Sequence, residues 1–458
     1  MKSMKIWNKL SLLMIATLLV HSVSGQDSLN ITKLSQWKIE SVLTYNEVWG
    51  IAQDGREYAV IGTLKGTYFI DVTDPSTPVM VDYVPGKDES CFCIHRDYHD
   101  YNGYLYMVTD EEPGSLQIVD LSSLPDSVSL VYDSDALFTR SHNIFIDSTS
   151  ALMYSAGGSP NSGIGVYSLI NPTNPVLLND FATPAGIHDI YVRNDTVYAH
   201  GGQSGMFVYN FANVGSPQLI GTYSNYVNAS VFNHSGWLNK QGNVYVFADE
   251  TTNQDIKVID VTDLTDIQPL DNVNTGGDSN AIAHNPIIKG DFAYVSYYLD
   301  GLWIYDISNP TNTTVAGYYD LYVGAGDTVT GGGAWGVYPF LPSGNILISD
   351  MNSGLFVFDA TNAITGIESI KQEKLKMNIA PNPFTDQVKI TFEEQVKVST
   401  IKIIDIAGRI VSTSEKGYFG QSIEYAVDDL KAGQYFIHIT TDKGNFVGNI
   451  TKAVQSHE

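Results

Sequence analysis

The chain predicts an all-β protein: a seven-bladed β-propeller closed by an N-terminal strand, followed by a small C-terminal β-sandwich. Three observations carry that expectation. The phrase "GLWIYDISNP" (301–310), or a worn copy of it, occurs seven times at spacings of 42–53 residues. Each interval holds short apolar and β-branched runs broken by Gly, Pro, Asn and Ser, which suits four strands and no helix of length. Six copies are followed by a further strand and the seventh is not, so one partner must come from elsewhere. Four strands in a repeat of this length are the signature of a propeller blade.

The other copies are "GTYFIDVTDP" (66–75), "SLQIVDLSSL" (115–124), "GIGVYSLINP" (163–172), "GMFVYNFANV" (205–214), "DIKVIDVTDL" (255–264) and "GLFVFDATNA" (354–363). Their nearly continuous apolar runs predict a third strand covered on both faces by neighbouring blades. Asp71, Asp120, Asp260, Asp306 and Asp359 follow the run, where a carboxylate can accept nearby backbone N–H groups and set a turn. Pro75, Pro172 and Pro310 then stop the pairing. The phrase is therefore a structural device. The seventh copy ends in "VFDATNAITGIES", whereas "SQWKIESVLTYN" (35–46) precedes the first full repeat and reads as an orphan fourth strand. Joining the two closes the ring and removes its open edges.

Outside the repeats, Lys2, Lys5 and Lys9 precede the apolar run "LSLLMIATLLV" and the small-residue exit "SVSG". That order predicts a signal peptide over 1–25, too short to span a bilayer in the mature chain, and no other stretch is apolar enough to cross. The expected division is 26–365 for the propeller, 366–376 for a charged linker, "GIESIKQEKLK", and 377–458 for the sandwich. Residues 26–365 carry 11 basic against 38 acidic residues. Such a surface repels nucleic acid and anionic lipid and suits cations or basic partners; solubility outside the cell accounts for the sign equally well. Cys91 and Cys93 are the only cysteines. Two apart, they read as two buried thiols, because a bridge at that spacing would be strained.

In the C-terminal part the order "PNPFTDQVKI", "IIDIAGRIV", "LKAGQYFIHI", "ITK" closely resembles the type A sorting domain of the type IX secretion system. The resemblance implies a partner, the type IX machinery, engaged through this domain. It also implies export across both membranes of a Bacteroidota-type bacterium, then removal of the domain with surface anchoring or release. The main domain resembles the choice-of-anchor B family of LVIVD-type repeat proteins. The residues that carry this are "HRDYHDYNGYLYMVTDEEPGSLQIVDLSSLPDSV" (95–128), "SHNIFID" (141–147), "HSGW" (234–237), "ADE" (248–250), "AHN" (283–285) and "GGAWGVYPFLPSGNILISDMNSGLFVF" (332–358). That family implies a secreted or outer cell-surface propeller and no particular reaction.

Setting the repeats in register on their first strands gives one column with possible chemistry: Trp49, Arg96 (with His95 beside it), His142, His188, His234, His284 and Trp335. The next column holds Gly50, Asp97, Asn143, Asp189, Ser235, Asn285 and Gly336. First strands line the central channel, so such a column is expected as a ring at one mouth. Three readings stay open: hydrogen bonds that tie neighbouring blades, a polar ligand-binding mouth, or a divalent metal site such as zinc on His142, His188, His234 and His284. Asp110, Glu111, Glu112, Asp249 and Glu250 follow second strands, with His200 nearby; loop carboxylates suit calcium or simply face water, and no EF-hand or nonapeptide calcium spacing is present. No "GxSxG", "HExxH" or P-loop is present. The expected function is a non-enzymatic binding or interaction module for an extracellular ligand or protein. The alternative is a metal-assisted extracellular hydrolase or lyase using the same histidines.

Overall fold

The computed structural model describes residues 28–158, 163–224, 226, 231–276, 281–322, 332–365, 377–405, 410–414, 417–427, 430–441 and 444–453. The expected signal segment and linker lie outside the described residues. The chain divides into two compact units between residues 366 and 367. Among the described residues, no helix is long and apolar enough to cross a membrane.

Seven antiparallel sheets make the first unit. Their inner strands are Tyr45–Gln53, Arg96–Tyr101, Asn143–Asp147, Asp189–Arg193, Asn233–Leu238, Ala283–Lys289 and Ala334–Tyr338, for blades 1 to 7 in order. Each inner strand touches those of both neighbouring blades, and the seventh touches the first, so the sheets close a circle. The repeated phrase forms the third strand of each blade. It is buried as its apolar run demands: in Gly301–Asp306 only the terminal Asp is partly exposed. Fourth strands such as Val176–Phe181 form the wet outer rim. In every blade the pairing of third and fourth strands shifts by one residue midway, a bulge that bends the outer edge.

The turn chemistry is as expected. Asp71, Asp120, Asp260, Asp306 and Asp359 each accept the backbone N–H two residues on, at 2.8–2.9 Å. Asn210 does the same for Ala212 in blade 4, where no Asp is present.

Ring closure also follows the sequence, with shifted bounds. Thr32–Trp37 pairs with Gly354–Asp359 and completes blade 7. The strand ends before Lys38, and Tyr45, the last but one residue of the segment expected as the orphan strand, instead starts blade 1. A second clasp had no sequence signal: Ser28–Leu29 adds a fifth strand to blade 6 by pairing with Tyr318–Tyr319.

One expectation is overturned. Cys91 and Cys93 are joined in a disulfide, not held as two thiols. The backbone across Phe92 is open enough to set their Cα atoms 5.3 Å apart, inside the span a disulfide bridges. Cys93 is buried while Phe92 is turned to solvent.

The C-terminal unit is built on one long strand, Gln387–Asp405. It pairs with Met377–Ala380, Ile410–Ser414, Tyr418–Ala426 and Gly433–Thr441, and the last of these pairs with Gly444–Lys452. The two faces of the expected sandwich are thus one hydrogen-bonded sheet, curled nearly into a barrel. Val388, Ile390, Phe392, Val396 and Val398 point into its core, as do Ile401 and Ile403. The alternation changes phase after Val398, where the register with the neighbouring strand shifts.

Candidate functional site

The inner strands stack their side chains around the propeller axis in three tiers. The outermost tier contains His95, His142, His188, His234, His284 and Trp335. Neighbouring ring centroids are 5.5, 4.0, 4.4, 4.4 and 4.4 Å apart in that order, and Trp335 returns to His95 at 5.4 Å. Six blades contribute and blade 1 is skipped. His234, His284 and Trp335 enter through bulges that put extra residues into the first strands of blades 5, 6 and 7. Extra residues of this kind re-aim side chains without breaking the sheet.

Each described Nδ1 bond in this tier is anchored on an oxygen. His142 Nδ1 lies 3.0 Å from Asp110 Oδ2, and His95 Nδ1 lies 2.6 Å from Glu111 Oε1. His234 Nδ1 bonds the His284 carbonyl at 3.1 Å and sits 3.0 Å from Ser235 Oγ. His284 Nδ1 bonds the Trp335 carbonyl at 2.8 Å. His188 Nδ1 is buried against the backbone of His234 without a hydrogen bond of good geometry. Burial, reinforced by like neighbours, lowers His188 to about 2 and drives His234 well below the usual histidine range. Burial also takes His284 down to about 4. His95 runs the other way: burial opposes its charge, but the bond to Glu111 outweighs it and raises the group.

Beneath lies a polar tier of Glu47, Asp97, Asn143, Asp189, Ser235 and Asn285, with Gly336 in the seventh place. It ties blade to blade. Asp97 Oδ2 accepts the Ile144 N–H at 2.7 Å, and Asn143 Oδ1 accepts the Ile190 N–H at 3.2 Å. Asn285 Nδ2 donates to Glu47 Oε2 at 2.9 Å. Burial, with carboxylates facing one another across the axis, pushes Glu47 up to about 8 and Asp189 well above its ordinary value. Burial takes Asp97 up to about 6. The third tier is aromatic: Trp49, His99, Phe145, Tyr191 and Trp237 follow one another at centroid spacings of 4.8–5.1 Å, and Tyr338 packs on Trp49 at 5.0 Å.

Between these tiers the channel retains a cavity of only 90 Å³, room for a few waters. Above His95, His142 and His188, on one side of the ring, the mouth opens into a concavity of 690 Å³, walled also by Asp110, Arg140 and Phe232.

The structure therefore gathers His95, His142, His188, His234, His284 and Trp335 into one ring and places Asp97 and Asp189 directly below it. Two members of the expected column are not there. Trp49 belongs to the aromatic tier, because the register slips across the extra residues after Tyr45. Arg96 turns away, is buried, and donates from Nε to the Thr63 carbonyl at 2.8 Å, leaving His95 as the ring member of blade 2.

The acidic group also divides. Asp110 holds His142 and Arg140, the latter at 2.8 Å, and Glu111 holds His95. Glu112 accepts the Thr139 hydroxyl. Asp249 is fully buried, paired with Lys257 at 2.6 Å and with the Tyr226 hydroxyl at 3.0 Å, so it has no place in a mouth site. Glu250 does reach the ring, with Oε2 3.7 Å from His234 Nε2 and Oε1 accepting Tyr298 OH at 2.5 Å. His200 spends both ring nitrogens on Asn233 and the Tyr245 hydroxyl, tying blade 4 to blade 5. Arg140, Phe232 and Tyr298 went unrecognised because they lie outside the repeated strands, where the column carries no information.

Comparison with known proteins divides the chain in the same way. Residues 378–453 match the secretion system C-terminal sorting domain, and residues 277–321 match the LVIVD repeat. The chain is thus an exported β-propeller protein of the type IX route, secreted or surface-attached, whose C-terminal domain addresses it to the secretion machinery. No curated protein matches it. Among solved structures, a structural-genomics target from Lactobacillus plantarum is similar, at 13% identity and a TM-score of 0.48, over 83% of this chain and 98% of that one.

Proposed function

We propose that the propeller is a non-enzymatic binding module of the choice-of-anchor B type, taking an extracellular ligand or partner group at the histidine-ringed mouth. In this reading the working part is 26–365, and 377–458 serves export. The observation that supports it is a 690 Å³ concavity standing over a channel with only 90 Å³ of free space. A ligand of organic size is stopped at the ring. It meets walls whose polar groups are already fixed by bonds of their own, such as the Arg140–Asp110–His142 chain. Preformed concave sites with a few oriented polar groups are the usual form of a ligand pocket.

Trp335 is a built-in reporter, since its ring packs on both His284 and His95. The test is titration of the full chain with a panel of oligosaccharides and short peptides while following tryptophan emission. The reading expects a saturable change that disappears in Trp335→Phe, and a Kd raised about tenfold by Phe232→Ala, the equivalent of roughly 1.4 kcal/mol. No saturable change from any probe, or one indifferent to both substitutions, overturns it.

A further inference from the structure

We propose that the ring binds one divalent first-row transition-metal ion through the imidazoles of His142, His188 and His234, with His284 and Glu250 on its open side. The proposal rests on reading the mouth as a binding site and names what that site holds.

The first argument is convergence. His142, His188 and His234 each bring one ligand atom to within 4.8 Å of the others, and His234, Glu250 and His284 form a second such group. A seven-bladed ring is wide if ligands must meet across it, but these come from successive blades on one side. Zn–N bonds near 2.0–2.1 Å require nitrogens about 3.3 Å apart in a tetrahedron, and modest imidazole rotations cover the remaining distance.

The second argument is the tautomer. Nδ1 of His142, His234 and His284 lies on a carboxylate or carbonyl oxygen, so the proton belongs there and Nε2 carries the free lone pair. Oxygen acceptors behind the imidazoles are the arrangement that orients and strengthens metal-bound histidine. Blade-tying bonds and metal binding are therefore compatible, because they use opposite nitrogens of the same ring.

The third argument is the unmet partner. Among the described residues, no hydrogen bond reaches Nε2 of His142, His188, His234 or His284. Lone pairs turned toward one another at this spacing call for a cation between them. Imidazoles with one carboxylate suit zinc, copper, nickel or iron, not calcium or magnesium, which take oxygen ligands. Two of the carboxylates expected for calcium are engaged elsewhere, Asp110 by Arg140 and Asp249 by Lys257.

The experiment takes the untagged full chain, strips it with chelator, and titrates it with CoCl2 by visible absorption and ZnCl2 by calorimetry. One ion per chain is expected, with the visible bands of four- or five-coordinate cobalt. His188→Ala should weaken binding more than about 100-fold, and Asp110→Asn, which keeps the imidazole but changes its support, about tenfold. His438→Ala in the C-terminal unit should have no effect. X-ray absorption at the zinc edge of the wild-type chain tests the ligands without any variant and should show imidazole scattering. Absence of bound ion, affinity unchanged in a folded His188→Ala, or a zinc spectrum without imidazole overturns the proposal. Failure to bind metal with Trp335-dependent binding of an organic probe intact removes the metal alone; loss of both removes the mouth as a binding site.

Discussion

At the scale of single residues, Gly336 shows how little room the polar tier leaves. A Cβ there would come within 1.8 Å of Glu47 Oε1, the carboxylate whose other oxygen Asn285 holds. Gly336→Ala should therefore cost about 1–3 kcal/mol in urea unfolding, as overpacking of a closed interior does. His200→Ala should cost about 2–3 kcal/mol, because it leaves the buried Asn233 and the Tyr245 hydroxyl without their partner. Residue by residue, the ring was partly legible. His142, His188, His234 and His284 repeat in first strands, and that periodicity survives in the fold. Trp49 was misplaced because extra residues in its first strand slip any column drawn without gaps, and Arg96 because its side chain turns from the axis to the Thr63 carbonyl. A bulge has no side-chain chemistry of its own to announce it.

At the scale of the element, the aspartate turn is the repeated unit of stability. Burial is slight at Asp260, and bonds to Thr262 hold its carboxyl below the usual carboxylate value. Its stabilising contribution is then fully present above the unfolded value of about 3.9 and lost as pH falls through the lower folded value. Asn210 makes the same bond without charge, so Asp260→Asn should keep the turn and lose only the charge-dependent part. Thermal scans should show wild type ahead of Asp260→Asn at neutral pH and level with it near pH 2. Asp260→Ala should lose about 1 kcal/mol across the neutral range. A melting difference between wild type and Asn variant that grows on acidification would contradict this account. These turns were legible because Asp after a β run has few other uses. The disulfide was not, since spacing alone says nothing about how far the backbone opens around Phe92.

At the scale of the whole molecule, stability depends on a clasp made from the first described residues. Deleting 28–37 strips the outer strand from blade 7 and the fifth strand from blade 6. At roughly 1 kcal/mol per lost ladder bond, the expected cost is about 5 kcal/mol by guanidinium unfolding, together with self-association through the bared edges. Deleting 28–29 alone should cost about 1 kcal/mol or less. The clasp was predictable because six blades ended in a strand the seventh lacked, whereas two residues paired on blade 6 are too short to leave a pattern.

The same clasp sets the order of events in the life of the chain. Trp37 must find Leu355, and Thr32 must find Asp359, across more than three hundred intervening residues. No ribosome-bound nascent chain can make that contact until the last blade has emerged, so the ring cannot close before Asp359 has left the ribosome. Closure entropy across so long a loop, with so many non-local pairings, also makes folding slow. Until then, both terminal edges are open to any other strand they meet.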